Sequence, residues 1–171
     1  GGFTPTRTGL PAINDDSAYS CIADYDRDGD DDVFVVNTNN QQANYYLQGP
    51  AGTFTLSNAL IPVVGGAGTG CVAAEFRPGS GIKDLVVVKD GQIYQYLTND
   101  GTGRFVDQAS TQAIFRLPAA PPSLRINRKA DAVDIDLDGD LDLLLHHIDT
   151  DPRYQAYIND GTGFFSIGTA S

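Results

Sequence analysis

The chain has 171 residues, 41% hydrophobic and 19% charged, which is the balance of an ordinary globular protein with a core of its own. Its formal net charge of −11, from 22 acidic and 11 basic residues, excludes nucleic acid as a natural partner. No apolar run approaches the ~20 residues of a membrane span, the two cysteines are too few for a disulfide-built scaffold, and a chain without methionine or leader-like segment reads as starting downstream of both.

Taken in order, the chain repeats itself. It opens "GGF", a glycine–phenylalanine close, and then passes through "TPTRTGLPA". The first full unit is "CIADYDRDGDDDVFVVNTNNQQANYYLQGPAGTF". A second follows, "CVAAEFRPGSGIKDLVVVKDGQIYQYLTNDGTGRF", and a third, "DAVDIDLDGDLDLLLHHIDTDPRYQAYINDGTGFF". Each gives a short strand, an aspartate-type loop, an apolar strand, a turn, an aromatic-rich strand and a glycine-rich turn closing on phenylalanine. With Phe54, Phe105 and Phe164 as the closing residues, the spacings are 51 and 59. "VFVV", "LVVV" and "LDLLL" are nearly continuous apolar runs, as expected of strands buried on both faces. Asp90-Gly91 is a type I′ hairpin signal, and "NDGTG" occurs twice as a glycine-bearing turn. No segment has helical periodicity. The expectation is an all-β fold of three propeller-type blades, each of four antiparallel strands, in one domain over 1–171 with repeats at about 3–54, 55–105 and 106–165. Three blades do not close a ring. The expectation is therefore a partial propeller, the remainder being either a longer chain or a homo-oligomer that completes it by association.

The aspartate loops carry chemistry. Asp24, Asp26, Asp28, Asp30 and Asp32 surround Gly29, and Asp134, Asp136, Asp138, Asp140 and Asp142 surround Gly139. Both read D-x-D-x-D-G-D-x-D. Carboxylates at positions 1, 3, 5 and 9, a glycine at 6 and a free carbonyl at 7 match the start of a calcium loop. Position 12 is Val35 or Leu145 rather than glutamate, and the flanks are strands, so this is no EF-hand. Two Ca2+ sites are expected. In the middle unit Glu75 takes the first acidic place and Asp84 the last, but Arg77 replaces the second carboxylate and the loop is one residue longer. That loop is expected to hold no metal, its guanidinium serving in the cation's place.

The loop, the apolar strand after it and the closing "GTGRF" or "GTGFF" resemble FG-GAP/VCBS repeats, over residues 3 to about 167. That resemblance implies the blades of integrin α-subunits and of certain fungal and bacterial lectins, and a calcium-stabilised binding or adhesion module that recognises a glycan or protein partner. A purely structural propeller scaffold in a larger secreted protein or toxin is the alternative. An enzyme is not expected: there is no G-x-S-x-G, no paired catalytic glutamate and no nucleophile–histidine pairing. Weak calcium loops suit the millimolar calcium outside cells, so an extracellular or periplasmic location follows.

The remaining residues are weighed singly. Cys21 and Cys71 lie on matching strands of adjacent units, either as buried thiols or as a blade-to-blade disulfide. His146 and His147 extend a strand, so their rings face opposite ways and share no metal. Tyr45, Tyr46, Tyr94, Tyr96, Tyr154 and Tyr157 serve blade packing or form a sugar-stacking platform. The proline-rich segment 115–129 carries Arg116, Arg125, Arg128 and Lys129. In an acidic chain this is the candidate ligand-binding loop, on the face opposite the calcium loops.

Overall fold

Six consecutive buried residues, Asp84–Lys89, mark the middle of the fold. Leu85 and Val87 enter one core, Val86 and Val88 another, because successive side chains of a strand point to opposite faces. A sheet buried on both sides needs a sheet on each side of it, and that is the architecture. The computed structural model describes residues 10, 13–90, 94–108, 127–147 and 154–168.

Twelve strands among the described residues form three four-stranded antiparallel sheets, each a meander in chain order. The first holds β1 (Ser17–Ala23), β2 (Asp32–Asn37), β3 (Asn44–Gly49) and β4 (Thr53–Leu56). The second holds β5 (Gly68–Ala74), β6 (Asp84–Lys89), β7 (Gln95–Asn99) and β8 (Phe105–Asp107). The third holds β9 (Asn127–Val133), β10 (Asp142–His147), β11 (Tyr154–Asn159) and β12 (Phe165–Ile167). β5 packs between β1 and β9, so the three sheets stack through their first strands as unclosed blades. No helix among the described residues is long and apolar enough to cross a membrane.

Only the middle sheet meets the expectation of burial on both faces. On β2, Phe34 and Val36 are buried while Val33 and Val35 are partly open, and Leu144 on β10 is partly open too. The register aligns Ile22, Val33, Tyr46 and Leu56 in one row across the first sheet's outer face. A continuous apolar run reports a strand's neighbours on both sides only where both neighbours are present.

The same aromatic trio closes both interfaces. Tyr25, Tyr45 and Phe105 meet edge to face at 5.4–5.8 Å between the first two sheets. Phe76, Tyr96 and Phe165 do so at 5.3–6.0 Å between the second and third. Such pairs contribute about 0.5–1.5 kcal/mol each beyond area burial. The trio corrects the sequence register: Phe165, fully buried and opposite Asn159, is the counterpart of Phe105 opposite Asn99. Phe164 is half exposed and stands where Arg104 does. Tyrosines 45, 94, 96 and 157 have at most 1% exposure and Tyr46 has 5%, so these rings are packing groups and offer no stacking platform.

The "NDGTG" turns do more than reverse the chain. Asn99 Nδ2 donates to the Tyr25 carbonyl of the preceding sheet at 2.7 Å, and Asn159 Nδ2 donates to the Phe76 carbonyl at 2.7 Å. Gly103 and Gly163 adopt left-handed φ values of +76° and +83°, and an added Cβ would lie 2.9 Å from Tyr45 Oη or 2.5 Å from Tyr96 Oη. Glycine is required there both by the turn and by the neighbouring sheet's ring.

Cys21 on β1 and Cys71 on β5 form a disulfide between adjacent sheets, with Cα atoms 6.1 Å apart and 50 residues of separation. Cross-linking over a loop of that length stabilises by about 4 kcal/mol in the chain-entropy account. The double variant C21A/C71A should therefore unfold at a markedly lower guanidinium concentration than the oxidised protein. An unchanged midpoint would mean that the interface, not the cross-link, fixes the first sheet.

Candidate functional site

Each aspartate loop links the first two strands of its sheet, and its shape comes from carboxylates accepting backbone N–H groups. Gly29 N donates to Asp24 Oδ2 at 3.1 Å and Gly139 N to Asp134 Oδ2 at 3.2 Å. In the middle loop Gly81 N donates to Glu75 Oε1 at 2.8 Å, so Glu75 does hold the place of Asp24 and Asp134. Asp30 N and Asp140 N donate to Asp28 Oδ1 and Asp138 Oδ1 at 2.9 and 3.1 Å. Arg27 and Leu137 occupy matching left-handed positions with φ of 66° and 64°, followed two residues later by left-handed Gly29 and Gly139.

The result is two triads. Ligand oxygens of Asp24, Asp26 and Asp28 lie within 4.8 Å of one another, and so do those of Asp134, Asp136 and Asp138. Asp30 and Asp140 are outside these triads. Asp32 and Asp142, both fully buried, anchor the loops instead. Asp32 accepts from Tyr25 N at 3.0 Å and Gln48 N at 2.8 Å; Asp142 accepts from Ile135 N at 2.7 Å and Asn159 N at 2.8 Å. In both loops one oxygen of the first aspartate, Asp24 Oδ1 and Asp134 Oδ1, is buried without a hydrogen-bond donor. An acceptor orphaned in the same place twice, inside a carboxylate triad, fits a hard cation with oxygen ligands.

The middle loop meets the same problem with a cation of its own. Arg77 Nε and Nη2 reach the Asp84 carboxylate at 2.9 and 2.7 Å, and Nη2 also donates to the Asn99 carbonyl at 2.7 Å. Asp84 is fully buried and accepts Asn99 N at 2.8 Å as well. A guanidinium fork thus sits on the last loop aspartate, as the sequence led us to expect.

The basic segment fares differently. Arg116 and Arg125 lie outside the described residues, as do the Arg128 and His147 side chains. Arg128 and Lys129 belong to β9 rather than to a loop. Lys129 Nζ is paired with Asp131 at 2.7 Å, and Asp131 also meets His146 Nε2 at 2.8 Å. Sequence reasoning missed Asn99 and Asn159. Their clue was the doubled "NDGTG", which looked like turn chemistry alone.

The FG-GAP-like repeat pattern matches residues 1–76 and 79–145. The chain belongs to the FG-GAP-like repeat family. No protein of curated function is significantly similar to it in sequence. Among solved structures, this FG-GAP-like chain is similar in fold to a lectin from Agrocybe aegerita, described as recognising non-reducing terminal N-acetylglucosamine. The TM-score is 0.52 at 19% identity, over 86% of this chain and 36% of the lectin. The FG-GAP-like chain thus spans little more than a third of that protein.

Two outcomes follow for the loops of this FG-GAP-like protein. Burial, ahead of repulsion from Asp26 and Asp28, pushes Asp32 from the ordinary 3.8 up to about 6. Burial and the Asp138 and Asp142 charges push Asp140 up to about 6. Carboxyls raised in the folded state bind more protons folded than unfolded between these values. The cation-free protein should therefore gain melting temperature as pH falls from 7 to 5, whereas calcium affinity should drop over the same window. A cation-free melting temperature that falls across it would contradict this assignment. Arg77→Met should destabilise by about 3 kcal/mol, since it strands a buried carboxylate whose partner is itself partly solvated. Calcium should not reverse that loss, and calorimetric calcium stoichiometry should stay that of the unsubstituted protein. Recovery of stability on adding calcium would mean the middle loop binds it.

Proposed function

We propose that this chain is a non-enzymatic binding module of the extracellular or periplasmic space, in which two calcium ions hold the first and third aspartate loops and the blades present a surface to a glycan. The calcium reading is carried by the orphaned Asp24 Oδ1 and Asp134 Oδ1, each beside two further carboxylates. Asp24, Asp26 and Asp28 would hold one ion, and Asp134, Asp136 and Asp138 the other, with the Asp30 and Asp140 carbonyls available at the seventh position. Calcium would supply fixed positive charge, drawing mutually repelling carboxylates into one loop geometry. The glycan reading is supported by the likeness in fold to a lectin. The Cys21–Cys71 disulfide favours an oxidising compartment.

Calorimetric titration should give two calcium ions per chain, and at 100-fold saturation each should add about 2.7 kcal/mol of stability. Asp24→Ala and Asp134→Ala should each remove one ion, while Glu75→Ala should leave the count unchanged. A glycan array probed in calcium should return saccharide hits. A silent array together with two bound calcium ions would replace the binding module by the scaffold reading. A melting temperature indifferent to chelator would end the calcium reading.

A further inference from the structure

Tyr45 on β3 and Tyr96 on β7 hold the same place in their sheets. Tyr45 pairs with Phe34 and Tyr96 with Val86, in each case the second residue after the buried loop aspartate, Asp32 or Asp84. Each hydroxyl lies against the matching turn glycine of the following sheet, Gly103 or Gly163. Both side chains are buried, yet the two hydroxyls differ. Tyr96 Oη donates to Asp84 Oδ2 at 3.1 Å, whereas Tyr45 Oη has no hydrogen-bond partner. A hydroxyl desolvated without a partner costs free energy, so the unpaired copy calls for an acceptor.

The acceptor is close at hand. Burial, and after it the Asp32 charge, hold the Tyr45 hydroxyl well above its ordinary range, so it keeps its proton. Asp32 Oδ2, the counterpart of Asp84 Oδ2, accepts from Tyr25 N at 3.0 Å, and a carboxylate oxygen has room for a second donor. What separates the two loops is charge compensation. Asp84 is gripped by the Arg77 fork at 2.7 and 2.9 Å. Asp32 has no ion pair among the described residues, and Asp26 and Asp28 repel its charge. The third sheet differs again. Ala156, paired with Leu144, stands where the tyrosine would, so that loop has a carboxylate triad and no hydroxyl beside it.

We infer that Tyr45 is a positioning residue for the first cation site: with the Asp24–Asp26–Asp28 triad neutralised, its hydroxyl donates to Asp32 as that of Tyr96 donates to Asp84. The hydrogen bond orients the carboxylate that closes the loop. It also ties occupancy of the loop to the Tyr25–Tyr45–Phe105 trio, because the same ring packs there. The inference rests on the calcium reading above and makes the two calcium sites unequal, since the third sheet has no such donor. Outer-shell hydrogen bonds of this kind change metal affinity by about 10- to 100-fold.

The test is calorimetric titration of the whole chain with calcium, with melting curves to show that each variant is folded. Tyr45→Phe should weaken one of the two ions by about tenfold and leave the other unchanged. In the Asp24→Ala background, which keeps only the third-loop ion, adding Tyr45→Phe should not alter the remaining affinity. Tyr96→Phe makes the same chemical change beside the middle loop and should leave both affinities intact. A readout without substitution is the Tyr45 hydroxyl proton by NMR, whose exchange with water should slow on adding calcium. Unchanged affinities in Tyr45→Phe, or a hydroxyl proton indifferent to calcium, would overturn the inference while leaving the calcium reading in place. Equal weakening of both ions would mark a general loosening of the fold and would overturn it too. An unsubstituted chain that binds no calcium removes the calcium reading itself, and this inference with it.

Discussion

A carboxylate with no solvent exposure closes each of the three loops: Asp32, Asp84 and Asp142. Each accepts a backbone N–H from the third strand of its own sheet, at Gln48, Asn99 and Asn159, all at 2.8 Å. The bond ties the loop to the rest of the sheet and sets where the next turn begins. It also buries a negative charge, which costs several kcal/mol unless a positive group compensates. That electrostatic debt shapes the loops. Around Asp84 the compensation is built into the chain as Arg77. Around Asp32 and Asp142 there is instead a triad of further carboxylates, an arrangement that makes the debt larger unless a cation joins it.

The loops in turn position the sheets against each other. The carbonyls of Tyr25 and Phe76, the residues just after the first acidic group, receive the Asn99 and Asn159 side chains of the following sheet. The rings of the same two residues anchor the aromatic trios. Charge compensation within a loop is therefore connected to blade stacking by one residue that uses its backbone for a hydrogen bond and its side chain for packing. A loop that relaxed would carry with it the carbonyl and ring that the next sheet depends on. The disulfide between Cys21 and Cys71 acts at the β1–β5 contact, so the first interface keeps a tether that the second lacks among the described residues.

Most of the fold could be read from residue order because the repeat has strong local chemistry. Alternating aspartates around glycine, β-branched runs and doubled glycine turns each restrict the backbone locally, and three copies remove ambiguity. Arg77 was readable for the same reason: charge reversal at one place in a repeated loop has few explanations. What escaped was set by neighbours. Phe164 and Phe165 cannot be told apart by composition, and only pairing opposite Asn159 decides which ring is buried. Lys129 looked like a loop cation because proline-rich sequence surrounds it, yet it lies in β9 beside Asp131. The latch role of Asn99 depends on a carbonyl 74 residues away, which no local pattern encodes.

Copies of a repeat are usually informative where they agree, and here the disagreements carry the most chemistry. The middle loop exchanges its second carboxylate for Arg77 and gains Pro78, so its buried Asp84 is compensated from within the chain and it loses the long side chain that Arg27 supplies in the first loop. That loss opens the space beside the third loop, and the third loop places Asp140 there where the second has Ile82. Together the two differences leave a cleft of about 270 Å3 between the middle and third loops, with Asp140 on its wall. The rigidity of the stack comes from the parts the copies share, and the local differences between its loops from the parts they do not.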